Sequence, residues 1–183
     1  MSASGRVWTL PCALACALSF FTRTTLPISV WKATGKDGSK KNGAYWRHLL
    51  AEYPALTVYL ENMFDEEPEL LRRLADDLSD EPRFGICYDM AHAYLSQTPL
   101  TEWNQALLPY VRHLHINDND KTQDTHRPVG SGSLPWDLYA QLFASCPSEQ
   151  KPSVLIEVRS YEDLAASVSY LKEHPLHPFD EMP

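Results

Sequence analysis

The sequence is short of positive charge and has no long apolar run. Lysine and arginine number 16 against 24 aspartate and glutamate residues, so the formal net charge is −8. A protein that binds nucleic acid through its phosphates needs clustered basic side chains, so the charge argues against this class. The most apolar stretch, 7–21, is too short to span a membrane. We therefore expect neither a nucleic acid nor a membrane as a partner.

Cysteine is scarce as well, at four residues, and no two of them form a CxxC pair. Cys12 and Cys16 are too few for a zinc knuckle, so this kind of site is not expected. Free thiols are typical of a reducing compartment, and we predict a cytoplasmic protein. The alternative is a signal peptide over 1–20, because Arg6 precedes the apolar stretch and Ala13-Leu14-Ala15 resembles a cleavage site.

The charge that is present is unevenly distributed. Residues 1–43 hold six basic side chains and one acidic side chain, Asp37. The stretch 35–43, rich in glycine and lysine, predicts a polar loop. We therefore divide the chain into an atypical N-terminal segment, 1–43, and a domain over 44–183. The N-terminal segment is expected to hold a remnant strand, over 17–27, and the loop.

From residue 55 onward, apolar runs alternate with amphipathic stretches. Runs rich in β-branched and aromatic residues predict strands over 55–64, 83–95, 112–118 and 153–158. Leucines at helical spacing and acidic first turns predict helices over 44–53, 65–80, 99–111, 134–146 and 160–174. Strands that alternate with helices lie parallel and are joined by right-handed crossovers. The sequence therefore predicts an α/β fold.

Ionisable side chains fall where the predicted strands end. These residues are Glu61, Asp89, His92, His115 and Glu157. Because the carboxyl ends of parallel strands meet at one edge, we expect these side chains to converge. Taken singly, each is as readily a cap or a structural residue, and only their joint placement favours a metal or acid–base site. We interpret the other histidines, His48, His113, His174 and His177, as structural.

Five motifs carry a resemblance to a known family. YLENMF, CYDMAHAYL, HLHINDND, DTHRPVGSGSLPW and LIEV, in this order, resemble the strand ends of the xylose isomerase-like TIM-barrel superfamily, over about residues 45 to 172. That superfamily holds sugar phosphate isomerases and epimerases, and AP endonuclease family 2. The resemblance implies the C-terminal half of a (β/α)8 TIM barrel, with about four to five parallel strands and their helices, the N-terminal strands being missing.

The isomerase and epimerase branch implies one divalent metal ion. Its ligands would be the residues that match the family positions, Glu61, Asp89, His115 and Glu157. Oxygen-rich ligands with one imidazole suit Mn²⁺ or Mg²⁺. Glu61 and Glu157 would be catalytic, moving a proton beside the carbonyl of a small sugar or sugar phosphate through an enediolate. His92 and Lys121 match substrate-binding positions, and many epimerases have an arginine where Lys121 stands.

Two alternatives remain open beside this metal-dependent isomerase or epimerase. The endonuclease IV branch implies Zn²⁺ and a phosphodiesterase, with His92, Asp124 and His126 as ligands of a second metal, although no histidine precedes His48 to complete its pattern. Asp124 and His126 could equally hold their own loop by hydrogen bonds. The other alternative is an inactive or partner-completed barrel fragment. A half-barrel has open strand edges, so a homodimer or a complementing chain is expected.

Overall fold

Four parallel strands form the sheet of the computed structural model, which describes residues 35–144, 146 and 150–180, with side chains from residue 42 onward. The strands are β1 (Val58–Glu61), β2 (Phe84–Asp89), β3 (Val111–Ile116) and β4 (Ser153–Ile156). Each strand pairs in parallel with the next along the chain. This order is that of a barrel wall, and the predicted α/β partial barrel is confirmed for the described part of the chain.

Six α-helices and one 3₁₀ helix accompany these strands in the described ranges. They are α1 (Gly35–Glu52), α2 (Glu69–Asp77), α3 (Met90–Leu95), α4 (Leu100–Leu107), the 3₁₀ helix (Leu108–Tyr110), α5 (Trp136–Phe143) and α6 (Tyr161–Glu173). Local sequence explains where some of them begin. Ser160 caps α6 by accepting a hydrogen bond from the amide of Asp163, and two acids in its first turn favour the helix dipole.

The two faces of the sheet differ in chemistry because strand side chains alternate. One face is apolar and packs in the hydrophobic core, and its buried residues are Val58, Leu60, Ile86, Tyr88, Leu114 and Ile116. The opposite face carries polar side chains, namely Tyr59, Glu61, Cys87, Asp89, His113 and His115. The apolar face holds the helices to the sheet, and the polar face is left to form a site.

The margin of the sheet at β4 is less covered than its centre. In β2 every residue is buried, whereas Leu155 in β4 is 36% exposed. Two apolar residues of the neighbouring helix α6, Tyr161 and Leu164, are 79% and 38% exposed. Within the described ranges, no fifth strand pairs with β1 or β4.

Two of the predicted elements are corrected by the structure. The stretch 35–43 is not a loop, because α1 begins at Gly35 and runs through it. Each glycine costs a helix about 1 kcal/mol relative to alanine, so the burial of Trp46 and Leu50 in the core, rather than local propensity, holds α1. The strand predicted over 83–95 ends at Asp89, whose side chain accepts hydrogen bonds from the amides of Ala91 and His92 and starts α3. The remnant strand and the signal peptide lie outside the described residues.

None of the helices in the described ranges combines the length and the apolar character needed to cross a membrane.

Candidate metal centre

Four side chains from four successive strand ends meet at one point. Glu61, Asp89 and His115 lie in β1, β2 and β3, and Glu157 directly follows β4. Each offers a ligand atom, and these atoms lie within 4.8 Å of one another. The Nδ1 atom of His115 is 2.9 Å from Glu61 Oε1 and 3.1 Å from Glu157 Oε2. We call these four residues the strand-end cluster.

Asp89 is the most firmly held member of the strand-end cluster. Its carboxylate is fully buried and accepts hydrogen bonds from the amides of Ala91 and His92 at 2.7 and 2.9 Å, and from Asn117 Nδ2 at 3.0 Å. The side chain of Asn62 donates to Asp89 O and accepts from Asp89 N, both at 2.8 Å. The backbone and the carboxylate of Asp89 are therefore both fixed by neighbouring strand ends.

Sequence reasoning missed Asn62 and Asn117. Both are fully buried, and they follow Glu61 and His115 by one and two residues. An amide directly after a strand-end ligand is the signal that was available, because such a residue enters the same edge of the sheet.

The electrostatics of the strand-end cluster favour a bound cation. Burial opposes the charged form of His115, but contacts with Cys87, Glu157 and Glu61 outweigh it and raise its pKa to about 12. The imidazole in turn lowers the pKa of Glu157. Burial raises the pKa of Asp89, so this carboxyl is costly to ionise without a positive partner. Three carboxyl groups thus face one imidazole, and a divalent cation would neutralise the excess negative charge.

A second group, the loop cluster, consists of His92, Asp124 and His126. Asp124 Oδ2 lies 3.4 Å from His92 Nε2 and 3.2 Å from His126 Nε2. The Nδ1 atoms of the two rings lie 3.0 Å from the backbone carbonyls of Asn62 and Glu157, to which they donate in the matching tautomer. Hydrogen bonds of this kind hold metal-binding histidines with the other nitrogen towards the ion.

Buried atoms without hydrogen-bond partners test whether a metal fits these two clusters. Within the described part of the chain they include Asp124 Oδ1, together with His92 Nε2 and Glu157 Oε2, which have only the ion-pair contacts with Asp124 and His115. Buried acceptors without hydrogen bonds are costly unless an ion or a water molecule completes them. All three belong to the clusters, and carboxylate oxygens with imidazole nitrogens suit divalent cations. The residues present therefore fit a divalent metal.

The loop that carries Asp124 and His126 is organised by Asp118. This buried carboxylate accepts hydrogen bonds from Gly130 N and Leu134 N, both at 3.0 Å, and from Trp136 Nε1 at 2.8 Å. The close return of the loop requires glycine at position 132, where a Cβ would lie 2.3 Å from Asp118 Oδ1. His126 itself has a φ of 50°, a conformation that non-glycine residues rarely adopt.

His92 lies between the two clusters. Its Nδ1 atom is 3.4 Å from Glu61 Oε1 and 3.7 Å from Asp89 Oδ2, whereas its Nε2 atom faces Asp124. The two clusters are therefore adjacent, and the imidazole of His92 contacts both. The structure brings together every residue expected to bind a metal, and their roles as ligands stay a prediction.

The remaining predicted positions lie apart from these contacts. Lys121 is exposed, and its Nζ atom lies 4.8 Å from the ring centroid of Tyr94. The other histidines make contacts typical of structural residues: His48 with Glu52, His113 with Ser153, His174 with Tyr170 O and His177 with Pro152 O. His113 nevertheless points to the same side of β3 as His115.

A family model described as xylose isomerase-like TIM barrel matches residues 16–174. The chain belongs to this family. The match covers all four strands and both clusters, so the resemblance seen in the motifs is confirmed. It also extends upstream of the described residues.

Individual relatives are of two kinds. The chain is 34% identical over 80 residues to fructoselysine 3-epimerase of Escherichia coli O157:H7, and 26% identical over 102 residues to a probable endonuclease 4 of Protochlamydia amoebophila. These matches cover 44% and 48% of this chain, but only 28% and 36% of those proteins. The chain therefore spans less than half the length of the curated relatives it matches.

A solved structure agrees with the fold of this xylose isomerase-like chain. The crystal structure of a D-tagatose 3-epimerase-like protein superposes with a TM-score of 0.63 at 23% identity. The superposition covers 75% of this chain and 54% of that protein. At this identity the likeness supports the barrel fold.

Proposed function

We propose that this chain is a metal-dependent isomerase or epimerase acting on a small sugar or sugar phosphate. The observation that carries the proposal is the difference in exposure within the strand-end cluster. The side chains of Asp89 and His115 are 0% and 2% exposed, whereas those of Glu61 and Glu157 are 17% and 32% exposed. A substrate can thus reach the two glutamates, while the other two residues only hold the site.

The residues that would hold the metal are Glu61, Asp89, His115 and Glu157. A bound Mn²⁺ or Mg²⁺ would supply positive charge beside the substrate oxygens on which negative charge develops. Zn²⁺ is the alternative ion for this mixed oxygen and nitrogen set.

The two glutamates would move the proton. Glu157 has a lowered pKa beside His115, so it is ionised at neutral pH, which is the state that a general base requires. Glu61 comes from the opposite edge of the sheet, and its carboxyl would return a proton to the enediolate. Two groups on opposite sides of a planar intermediate can invert a carbon centre. Because Glu61 ends β1 and Glu157 follows β4, the sheet would position both carboxyl groups relative to the substrate.

Two further residues would hold the substrate. His92 borders the strand-end cluster through its contacts with Glu61 and Asp89. Lys121 on the neighbouring loop carries a positive charge that suits a hydroxyl or a phosphate, although it lacks the fork geometry of arginine. The name of the epimerase relative, fructoselysine 3-epimerase, supports a sugar derivative as the substrate class.

Proton exchange with solvent tests this proposal directly. The Mn²⁺-loaded chain, incubated with ketohexoses in D₂O, should introduce deuterium at the carbon beside the carbonyl, as detected by mass spectrometry. Glu61→Gln and Glu157→Gln should each lower this exchange at least about 100-fold, in the range of a lost acid or base. Glu173→Gln, an exposed change at the end of α6, is the matched control. Exchange that persists in both cluster variants would overturn the proposed roles.

The loop cluster favours a second candidate, an endonuclease IV-like phosphodiesterase. Two adjacent ligand groups are what a two-metal hydrolysis requires, and one relative is named a probable endonuclease 4. The net charge of −8 opposes binding to a polyanion. Cleavage of an oligonucleotide with one abasic site, dependent on Zn²⁺ and lost in His126→Ala, would favour this candidate over the epimerase.

We also propose a partner that completes the barrel, either a second copy or a complementing chain. The open margin at β4 and the exposed Leu155, Tyr161 and Leu164 support it. The chain alone should associate and show at most weak epimerase activity, because barrel enzymes take substrate contacts from the whole rim. Sedimentation would test this, and a monodisperse monomer with a turnover of about 10 s⁻¹ would contradict it.

A further inference from the structure

A third set of metal-capable side chains lies one strand period below the strand-end cluster. Cys87, His113 and His115 each offer a ligand atom, and these atoms lie within 4.8 Å of one another. Cys87 and His113 are paired in the β2–β3 register, as Asp89 and His115 are two residues further on. Residues two apart in a strand share a face, so this group repeats the placement of Asp89 and His115 deeper in the sheet.

The imidazole of His113 is held in a fixed orientation. Its Nδ1 atom lies 2.7 Å from Ser153 Oγ on β4. The ring stacks on Tyr59 with centroids 6.1 Å apart, and it stands at 87° to the ring of His115 with centroids 5.3 Å apart. Histidines that bind metals are commonly held in this way through the nitrogen that does not contact the ion.

We propose that Cys87, His113 and His115 form a thiolate-containing metal site that takes Zn²⁺ or a comparable thiophilic cation. One sulfur and two imidazole nitrogens are the ligands that Zn²⁺ prefers, and they differ from the oxygen-rich strand-end cluster above them. Three protein ligands leave one tetrahedral position open, as in catalytic zinc sites. His115 belongs to this group and to the strand-end cluster, but the proposal does not require the isomerase activity.

Burial has a consequence for how the ion enters. Cys87 is 3% exposed, and a metal ion binds the thiolate form of cysteine. An ion that binds must displace the proton, which leaves with solvent as the metal–sulfur bond forms. Mg²⁺ and Mn²⁺, which prefer oxygen ligands, are not expected to do so.

Cobalt spectroscopy of the metal-free full chain is the test. Adding Co²⁺ should produce a thiolate-to-cobalt charge-transfer band in the near ultraviolet, and Zn²⁺ should bleach it. Cys87→Ser should abolish the band. Ser153→Ala removes only the contact that orients His113. It should weaken Co²⁺ binding about tenfold, as is typical when a residue that hydrogen-bonds a metal ligand is changed.

Three controls assign the band to this site. Cys146→Ser changes the other cysteine in the described ranges and should leave the band intact, as should the double variant Cys12→Ser, Cys16→Ser. His113→Ala, at a half-buried position, should weaken Co²⁺ binding without loss of folding by circular dichroism. A wild-type chain without the band, or a band that survives in Cys87→Ser, would overturn the proposal.

Discussion

The strand-end cluster and the loop cluster position similar metal-capable side chains by different means. Glu61, Asp89 and His115 lie in strands whose backbones are paired by register, so their positions follow from the sheet. Asp124 and His126 lie in a loop whose shape depends on the buried carboxylate of Asp118 and on the contact of His126 Nδ1 with the Glu157 carbonyl. The strand pairing therefore fixes the strand-end cluster, whereas side-chain hydrogen bonds fix the two loop residues of the loop cluster.

This difference predicts that the loop cluster can be lost alone, whereas damage to the strand-end cluster affects both. Loss of one loop hydrogen bond can displace Asp124 and His126 while the strand ladder remains intact. Loss of a strand-end ligand, in contrast, leaves buried carboxylates facing one another and disturbs both clusters through His92, which contacts each of them.

The largest effect is expected for His115→Ala. The strand-end cluster then loses its imidazole, and three carboxyl groups remain without the positive partner that lowers the pKa of Glu157. Mn²⁺ affinity, measured by calorimetry, should fall by more than about 100-fold. This loss exceeds the one expected when a residue that only hydrogen-bonds a metal ligand is changed. His174→Ala, on an exposed helix end, should bind as the wild type does. Equal affinities in the two variants would place the metal elsewhere.

Asp118→Ala should separate the clusters. The change leaves the amides of Gly130 and Leu134 and the indole of Trp136 without their acceptor, at a cost of about 3 kcal/mol in the free energy of unfolding. Urea unfolding measures this cost. Metal binding at the loop cluster should be lost while the strand-end cluster keeps its affinity.

Asp120→Ala is the control for Asp118→Ala. Asp120 lies two residues away and pairs with Arg127 at the surface, so its removal should cost less than about 1 kcal/mol. Equal destabilisation by the two changes would show that Asp118 does not organise the loop.

A smaller effect is expected from pH, through His115. In the metal-free protein its pKa is raised to about 12, so the imidazole is protonated at neutral pH. The stability it contributes is complete below its ordinary pKa of 6.5 and is lost as the pH rises towards 12. Because a metal needs the neutral ring, Mn²⁺ affinity should change in the opposite direction and fall about tenfold per pH unit lowered. Calorimetry in buffers of different ionisation heat would detect the released proton, and binding without release would contradict the assignment.

The contrast between the clusters also shows which parts of the site could be predicted from the sequence. The strand-end residues were predicted because apolar runs end in polar side chains, and parallel strands bring those ends together. Asp118 was not, since nothing local shows that one aspartate will accept bonds from residues 12 to 18 positions later. The helix over 35–43 was missed because burial of distant residues, Trp46 and Leu50, stabilises it. The end of the strand at Asp89 was missed because the Asp89 side chain caps the helix that follows.

Calorimetric titration of the metal-free chain with Mn²⁺, repeated on His126→Ala, tests the central claim that two neighbouring clusters bind metal. The wild type should show two classes of site, one for each cluster. His126→Ala should lose the loop-cluster class and retain the strand-end class with unchanged affinity. A single class that is unaltered by His126→Ala would contradict the account, and would mean that Asp124 and His126 only hold their own loop.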